Sequence, residues 1–189
     1  MTTSSSSKIQ WLIGVAALTL DQMTKHWARL HFSFPDGNPD YMKSLPVIGD
    51  WVQFRLVYNM GAAFGMKPQG ILPFLSPTVF YAIFSLVAMI FLGVYYRRLA
   101  ANESLSRMAV ILILAGAFGN LSDRLSFHKV TDFIDVGIPG VFPRWPTFNV
   151  ADSCVCIGMG ILLLSPLFMK RKPAVVETPA ASTSGSDVG

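Results

Sequence analysis

The sequence predicts an all-α membrane protein with four transmembrane helices, a small extracytoplasmic β-rich segment and an interfacial loop or helix. Hydrophobic residues make up 52% of the 189 residues and charged residues only 14%. Soluble domains carry about 25% charged residues, so this shortfall is typical of a membrane protein. Long apolar runs bounded by short basic groups are the second observation, and two intervening polar segments rich in proline and glycine are the third.

The first span is predicted over residues 9–30. The apolar run Ile9–Leu20 is too short to cross a bilayer core of about 30 Å at about 1.5 Å per residue, so the helix must continue through Asp21 and Lys25. These two residues share one helix face, with the acid first. Either they form an interfacial ion pair that ends the helix, or Asp21 helps to fix the geometry of a functional site. We expect the serine-rich lead, residues 1–7, to be disordered.

A polar segment over residues 31–70 follows, broken by several prolines and glycines. Within it, Trp51–Tyr58 alternates in part and is rich in β-formers, which predicts a short strand or hairpin. The next stretch, Tyr58–Met66, combines an asparagine with small and aromatic residues and carries no charge. It is too short to span and too apolar for a solvated loop, so we expect it to lie at the membrane interface or to dip into it.

Three further spans complete the predicted domain, residues 8–172, and they cover residues 73–96, 108–125 and 150–169. The third span carries Gly116 and Gly119, small residues that permit close helix packing in lipid. A second long loop, Ser126–Phe148, separates it from the fourth span. The tail, residues 173–189, is rich in Ala, Thr, Ser and Pro, and we expect it to be disordered.

The basic residues predict the orientation of the spans. Short basic groups fall on one side of a four-span arrangement, at Lys8, Arg97, Arg98, Arg107 and Lys170–Lys172. Those on the opposite side are diluted by acidic residues and by the length of the loops. Because cytoplasmic loops carry the excess of Lys and Arg, we predict that both termini are cytoplasmic and that the two long loops face outward.

The same patterns disfavour several other classes of site. The net charge of +4 comes largely from groups at span ends, which disfavours nucleic-acid binding. Cys154 and Cys156 point to roughly opposite faces of one helix, so we interpret them as packing residues rather than a disulfide or metal site. The three histidines lack metal-ligand spacing. Ser153 with His128 would suggest a serine hydrolase, but no nucleophile-elbow motif surrounds Ser153.

Residues 116–152 lie between two apolar runs and concentrate ionisable side chains, among them Asp123, Arg124, Asp132, Asp135 and Asp152. Ionisable groups near membrane depth are costly unless they are paired or hydrated, which makes these residues candidates for a functional site. Arg124 most simply neutralises Asp123, or it holds a substrate by directed hydrogen bonds. We interpret Asp135 as a bystander.

Two carboxyls in this region have contrasting surroundings. Asn149 is a good N-cap for the fourth helix and Asp152 falls near the capping-box position, so simple capping would explain both. The helix terminus favours ionised Asp152, whereas the apolar setting of Asp132 in KVTDFID favours its neutral form. If the loop folds back so that the two carboxyls face each other, they would share one proton near neutral pH. One could then activate water while the other protonates a substrate, which is aspartic-protease chemistry without a metal ion.

Five motifs stand in order along the chain: DQMTK at Asp21–Lys25, YNMGAAFG at Tyr58–Gly65, GAFGNLSDR at Gly116–Arg124, VTDFID at Val130–Asp135 and FNVADS at Phe148–Ser153. They resemble, in the same order, the motifs of the lipoprotein signal peptidases, the signal peptidase II family of bacterial inner-membrane aspartic proteases. The resemblance covers nearly the whole chain between its polar ends. One such motif would be weak, but five in order on four apolar spans are highly specific.

The resemblance implies that Asp132 and Asp152 form a catalytic dyad. It also implies site-supporting or substrate-binding roles for Asp21, Lys25, Asn59, Gly61, Asn120, Asp123, Arg124 and Asn149. One departure concerns His128, which lies where family members often have glycine. This departure bears on the loop that leads to Asp132, not on the aspartate itself.

The implied function is an intramembrane aspartic endopeptidase that removes the signal peptide of prolipoproteins just before a cysteine already carrying diacylglycerol. Diacylglyceryl-prolipoproteins and membrane lipids would be its partners, and the cyclic peptide globomycin its inhibitor. We expect no cofactor, no metal ion and no nucleic acid. We expect a monomer in the bacterial inner membrane, with the active site near the periplasmic face.

Two other classes of function remain as alternatives. A proton-coupled transporter could use intramembrane carboxylates as relays, but transporter folds usually have more spans and internal repeats. A non-catalytic assembly factor would use its polar residues as contacts between helices and would need no dyad. Cleavage of a lipidated precursor by the purified protein would distinguish a peptidase from both.

Overall fold

A computed structural model describes residues 2–61, 76–138, 140–141 and 144–168. Within these ranges the helices are α1 (Thr2–Phe32), α2 (Pro77–Arg98), α3 (Ser104–Phe127) and α4 (Val150–Phe168). The strands are β1 (Leu45–Ile48), β2 (Val52–Asn59) and β3 (Val130–Val136). Most of the stretch expected at the membrane interface, the first residues of the second predicted span and the whole C-terminal tail lie outside the described ranges.

A helix lies at each predicted span. Two of them, α2 and α3, are long and apolar enough to cross a membrane, with mean hydropathies of 2.1 and 1.6 in their most apolar windows. α4 contains a shorter apolar stretch, Val150–Ser165, and α1 carries charged residues in its second half. α1 begins at Thr2, so the lead that we expected to be disordered is helical. The expectation failed because this serine-rich segment forms the first turns of a longer helix.

Contacts at the two ends of the bundle show that α1 and α3 run in one direction and α2 in the other. Gln10, near the start of α1, donates to the carbonyl oxygen of Ser104 at the start of α3, at 3.0 Å. At the opposite end, Thr78 in the first turn of α2 donates to the carbonyl oxygen of His128, just after α3, at 2.7 Å. The three-stranded sheet lies at this second end, where α3 ends and α4 begins.

Glycine lets α3 and α4 pack closely. A Cβ atom on Gly116 would overlap the backbone carbonyl oxygen of Ala151, and one on Gly158 would lie 2.7 Å from the carbonyl oxygen of Ala109. These opposed pairs also show that α4 runs antiparallel to α3. The role predicted for the small residue Gly116 is therefore confirmed.

In the sheet, β2 is the central strand and pairs antiparallel with both β1 and β3. The short strand or hairpin predicted at Trp51–Tyr58 is confirmed as the strand β2, which forms a hairpin with the preceding β1. β3 was not predicted, because its two aspartates are poor strand formers and the segment was expected to be a loop. Pairing with β2 overrides that preference and sets Asp132 opposite Val57.

The sheet packs on the end of α1 through a small apolar core. Ala28 and Phe32 of α1, Leu56 of β2 and Phe133 of β3 are all buried there. Trp27 and Phe54 pack edge to face against this cluster, with ring centroids 5.5 Å apart. Burial of Phe133 fixes β3 beside α1 and α3, and it thereby fixes the position of the preceding residue, Asp132.

α3 ends in a left-handed residue that is not glycine. His128 has φ 59°, and its N–H donates to the carbonyl oxygen of Arg124 at 3.1 Å. Glycine is preferred at this position after a helix because it has no Cβ to clash in the left-handed region. The backbone conformation gives a physical reason for the glycine that the family resemblance led us to expect here.

His128→Gly is expected to raise the free energy of unfolding by about 1 kcal/mol. A side chain in the left-handed region costs about 1–2 kcal/mol, and the substitution removes this cost. Part of the gain is lost because glycine gives the unfolded chain more conformational entropy. Thermal unfolding in detergent measures the change. His128→Ala is the matched control, since it keeps the Cβ atom and should leave stability nearly unchanged. An equal gain from both variants would rule out backbone strain as the cause.

Candidate active site

Asp132 and Asp152 approach each other where β3 passes the start of α4. They lie on either side of Asn149, whose side-chain Nδ2 donates to Oδ1 of Asp132 at 2.7 Å. The backbone N–H of Asn149 donates to Oδ2 of Asp152 at 3.1 Å. Asp132 is buried and Asp152 is partly exposed. The segment between the two aspartates therefore folds back along β3 and brings both carboxyls to one asparagine.

The start of α4 is capped by side chains on both sides of the bundle. Oδ1 of Asn149 accepts the N–H of Asp152 at 2.9 Å, and Asp152 accepts the N–H of Asn149 in return. This is the predicted capping box. Asp21 of α1 accepts the next free donor, the N–H of Ala151, at 2.9 Å. Capping and a role in the site coexist, because Oδ1 of Asp152 remains available for a further contact.

Each carboxyl accepts two hydrogen bonds from asparagine donors. Asp132 accepts from Nδ2 of Asn59 at 3.1 Å and from Nδ2 of Asn149. Asp152 accepts from Nδ2 of Asn120 at 2.7 Å and from the backbone of Asn149. These donors are neutral, so they orient the carboxyls without adding a positive charge that would drive both to ionise.

Gly61 fixes the orientation of Asn59. Its N–H donates to Oδ1 of Asn59 at 2.9 Å, which leaves Nδ2 to face Asp132. Gly61 has φ 113°, and a Cβ atom there would lie 2.5 Å from the ring of Tyr81 in α2. Both the backbone conformation and the close approach of α2 require glycine at this position.

Behind the two carboxyls, α1 and α3 share a buried ion-pair cluster. Nζ of Lys25 lies 2.9 Å from Oδ2 of Asp21 and 3.8 Å from Oδ2 of Asp123. Nη1 of Arg29 lies 3.5 Å from Oδ1 of Asp123. Asp21, Lys25 and Asp123 are each at most 1% exposed. The alternative in which Asp21 and Lys25 form an interfacial pair that ends the helix is wrong, since α1 continues to Phe32.

Asp123 anchors β3 to α3. Its Oδ2 accepts the N–H of Thr131 at 2.8 Å, and Arg29 donates to Oγ1 of the same threonine at 2.7 Å. Thr131 immediately precedes Asp132, so this cluster helps to set where that carboxyl lies. The interpretation that Arg124 neutralises Asp123 is wrong, because Lys25 and Arg29 do so from α1. Adjacent residues on a helix point about 100° apart, so Arg124 faces elsewhere.

Arg124 lies near enough to the two carboxyls for its charge to act on them. Its guanidinium interacts electrostatically with both Asp152 and Asp132 without forming an ion pair at contact distance with either. Nη1 donates to the carbonyl oxygen of Asn120 at 3.3 Å, and the guanidinium carbon lies 5.6 Å from the ring centroid of Tyr81. Its buried Nε has no hydrogen-bond partner in the part of the chain that the structure describes. This arrangement leaves donor capacity beside the carboxyls.

Asp135 belongs to the sheet and faces away from the paired carboxyls. It is fully buried, and its oxygens lie 2.8 Å from Nε of Arg55 and 3.2 Å from Nη1 of Arg144. Gln53 donates to it at 2.8 Å. Asp135 therefore ties β3 to β2 and to the segment that leads into α4, which gives it a structural role in the sheet.

The alternative serine nucleophile finds no support in the geometry. Oγ of Ser153 donates to the carbonyl oxygen of Asn149 one turn back, at 3.1 Å, whereas His128 ends α3. Among residues 2–61, 76–138, 140–141 and 144–168, no group of three or more His, Cys, Asp or Glu could hold a metal ion. The paired carboxyls are the arrangement in this region that is suited to proton transfer.

Burial is the largest cause that raises the pKa of Asp132 from its ordinary value to about 7. The neighbouring charge of Asp152 acts in the same direction, while hydrogen bonds from Asn59 and Asn149 and the charge of Lys25 oppose it. Near neutral pH, Asp132 is therefore able to hold a proton beside the carboxylate of Asp152.

Sequence reasoning missed three residues of this region. Arg29 lies four residues after Lys25 and eight after Asp21, so the helical period could have revealed it. Thr131 gave no comparable signal, because its contacts depend on the unpredicted strand. Gly119 was assigned to helix packing only, whereas a Cβ atom there would lie 2.5 Å from Oδ2 of Asp21.

Comparison with known proteins identifies close likenesses over most of the chain. A family model described as signal peptidase (SPase) II matches residues 13–168. A lipoprotein signal peptidase of Syntrophotalea carbinolica is 38% identical over 162 residues, covering 84% of this chain and 90% of that protein. One of Coxiella burnetii is 37% identical over 168 residues, covering 87% of this chain and 94% of that protein. A bacterial membrane enzyme solved by the in meso method at 1.9 Å resolution superposes with a TM-score of 0.70 and 28% identity, covering 86% of this chain and 95% of that one.

Proposed function

The chain belongs to the signal peptidase II family, as its motifs predicted, and we propose that it removes the signal peptides of diacylglyceryl-modified prolipoproteins. Cleavage would fall just before the lipidated cysteine, and Asp132 with Asp152 would activate the attacking water. The observation that carries this proposal is the pair of carboxyls on either side of Asn149 at one end of the helix bundle. The proposed enzyme is thus an aspartic endopeptidase.

The proposed membrane arrangement has all four helices crossing the bilayer. The basic residues at the start of α1 and α3 and at the end of α2 lie at the end of the bundle away from the sheet. Under the positive-inside rule this end is cytoplasmic, and the carboxyls then lie near the periplasmic face of the inner membrane. A lipidated cysteine held in the outer leaflet would bring the scissile bond to that depth.

In the proposed reaction, the carboxylate of Asp152 accepts a proton from a water molecule while the water oxygen attacks the scissile carbonyl carbon. Asp132 donates its proton to the carbonyl oxygen. The resulting tetrahedral intermediate collapses when the peptide C–N bond breaks and the proton held by Asp152 passes to the leaving nitrogen. The carbonyl oxygen returns its proton to Asp132, so the dyad is restored without a covalent intermediate.

Substrate binding is proposed for the two donors that face the carboxyls. Arg124 has an unused donor on its guanidinium and lies close enough to hold a backbone carbonyl of the substrate. Asn59 is held by Gly61 so that its amide faces Asp132, which would align that carboxyl with the scissile bond. Globomycin is expected to occupy the same site, and a monomer is expected to suffice.

The proposed function is tested by incubating the purified protein in detergent with one prolipoprotein in two forms, with and without diacylglycerol on its cysteine. We expect the lipidated form to lose its signal peptide and the unlipidated form to remain uncut. Cleavage of neither form would reject the proposal, and equal cleavage of both would reject the lipid requirement. Proton flux in liposomes without cleavage would favour a transporter instead.

Asp132→Asn is expected to stabilise the folded protein above about pH 7, by roughly 1–3 kcal/mol, and this gain should disappear toward pH 4. The pKa of Asp132 in the folded protein is about 7, against an ordinary value of 3.8. Between these values the folded protein binds more protons than the unfolded chain, so its free energy of unfolding falls as pH rises. The asparagine variant lacks this dependence.

Thermal unfolding at about pH 5 and about pH 8 measures this effect. The exposed Asp50→Asn provides a control for a general loss of negative charge, and it should show no such pH-dependent gain. If Asp132→Asn changed stability equally at both pH values, the raised pKa of Asp132 would have to be abandoned.

A further inference from the structure

Lys25 makes one contact that charge balance does not require. Its ammonium group is already paired with Asp21 and lies near Asp123. It also donates to Oδ1 of Asn120 at 2.8 Å. Lys25 is 0% exposed, so it cannot touch a substrate. Any influence that it has on the reaction must pass through a neighbouring side chain.

The contact fixes which end of the Asn120 amide faces Asp152. An ammonium group can only donate, so Lys25 requires the amide to present its oxygen. The amide nitrogen then faces Asp152 and donates to its Oδ1 at 2.7 Å. Nδ2 of Asn149 also donates to Oδ1 of Asn120, at 3.2 Å, and supports the same orientation. A rotated amide would set donor against donor at Lys25 and oxygen against carboxylate at Asp152.

We infer that Lys25 is a positioning residue for the proposed hydrolysis. Its ammonium group holds the amide of Asn120 in the orientation that keeps Asp152 the hydrogen-bonded, ionised member of the dyad. This inference rests on the proposed function, which supplies the reaction, but it concerns a residue that takes no part in bond making or breaking.

Asp21 links Lys25 to α4, the helix that carries Asp152. Its Oδ2 holds Lys25 at 2.9 Å, while its Oδ1 accepts the N–H of Ala151 at 2.9 Å. Gly119 leaves the space that this carboxylate occupies. One carboxylate on α1 therefore fixes both the lysine that orients Asn120 and the first turn of α4.

The charged groups around Asp152 come from three elements, and any test must account for all of them. They are Asp21 and Lys25 on α1, Asp123 and Arg124 on α3 and Asp132 on β3. Removal of Lys25 alone changes both the orientation of Asn120 and the net charge near the dyad. The two effects are separated by removing the opposite charge of Asp21 at the same time.

The test is the rate–pH profile for cleavage of a diacylglyceryl-prolipoprotein by the full chain. Lys25→Met is expected to lower kcat with little change in KM and to move the acid limb of the profile upward by about one pH unit. Lys25→Arg keeps a cationic donor, so the acid limb of its rate–pH profile should coincide with that of the unmodified protein. The exposed Lys43→Met is the control and should match the unmodified protein.

The double variant Asp21→Asn/Lys25→Met distinguishes an effect of the Asn120 orientation from an effect of the net charge near the dyad. It removes a buried positive and a buried negative charge together, so no buried charge is left without its partner. The oxygen of the new asparagine can still accept the N–H of Ala151, so we expect the variant to fold. We expect its acid limb to stay displaced, as in Lys25→Met. A return to the unmodified profile would overturn the inference, as would an unmodified profile in Lys25→Met itself.

A second readout does not depend on cleavage. The infrared C=O band of a protonated carboxyl can be assigned to Asp152 by its loss in Asp152→Asn. In Lys25→Met this band should persist to a higher pH than in the unmodified protein, and an unchanged band would contradict the positioning role. Failure of the unmodified protein to cleave the lipidated substrate would reject the proposed function by itself, so the two failures are distinguishable.

Discussion

Asp132→Asn and Asp152→Asn are each expected to lower kcat for prolipoprotein cleavage by at least about 10²–10⁴-fold, the range that general acid–base catalysis contributes. An amide in place of Asp152 cannot accept the proton of the attacking water, and an amide in place of Asp132 cannot supply an acidic proton to the scissile carbonyl. The measurement is the single-turnover rate with a diacylglyceryl-modified substrate in detergent.

The two asparagine variants should remain folded, because an amide fills almost the same volume and its oxygen can still accept one of the two hydrogen bonds that each carboxyl accepts. Asp135→Asn is a useful comparison, since it changes an equally buried aspartate on the same strand as Asp132 but outside the site. Unfolding and activity of this variant are measured together, so that loss of the fold is distinguished from loss of catalysis. Near-normal cleavage by either dyad variant would remove that residue from the mechanism.

Asp123→Ala is expected to lower the free energy of unfolding by about 3–5 kcal/mol, the usual result of removing one partner from a buried ion pair. The substitution leaves Arg29 without its acid and leaves the N–H of Thr131 without an acceptor. Because Thr131 precedes Asp132, activity should fall as well. Thermal unfolding in detergent and the cleavage rate, measured on the same preparations, give both effects.

The exposed Asp50→Ala is the control for loss of an acidic side chain and should change stability little. A second substitution, Arg29→Met, should recover part of the stability lost in Asp123→Ala, since it removes the uncompensated charge. If Asp123→Ala cost less than about 1 kcal/mol, the cluster would not be the anchor of β3 that its contacts indicate.

Much of the fold could be predicted because apolar periodicity and length determine where helices form. The helices lie at the predicted spans, and the capping box was visible locally because Asn149 and Asp152 are three positions apart. The strand at Trp51–Tyr58 was likewise indicated by a local pattern. Features of this kind depend on neighbours along the chain, so one sequence is enough to indicate them.

The features that were missed depend on distant partners. β3 contains aspartates at positions where a strand usually has apolar residues, and it forms because β2, Asp123 and the buried Phe133 hold it in place. The partner of Asp123 could not be read from its neighbour Arg124, because the pairing runs between α1 and α3. The chain of contacts from Lys25 through Asn120 to Asp152 has the same origin.

In the proposed hydrolysis, the two carboxyls activate water directly and no covalent intermediate forms. Mass spectrometry of a single turnover in ¹⁸O-water distinguishes this reaction from one with a covalent intermediate. We expect one ¹⁸O atom in the new carboxyl group of the released signal peptide and an unaltered mass for the protein at every time point. A transient protein adduct with the mass of the signal peptide would contradict it, because it would show that a side chain such as Ser153, rather than water, attacks the scissile bond.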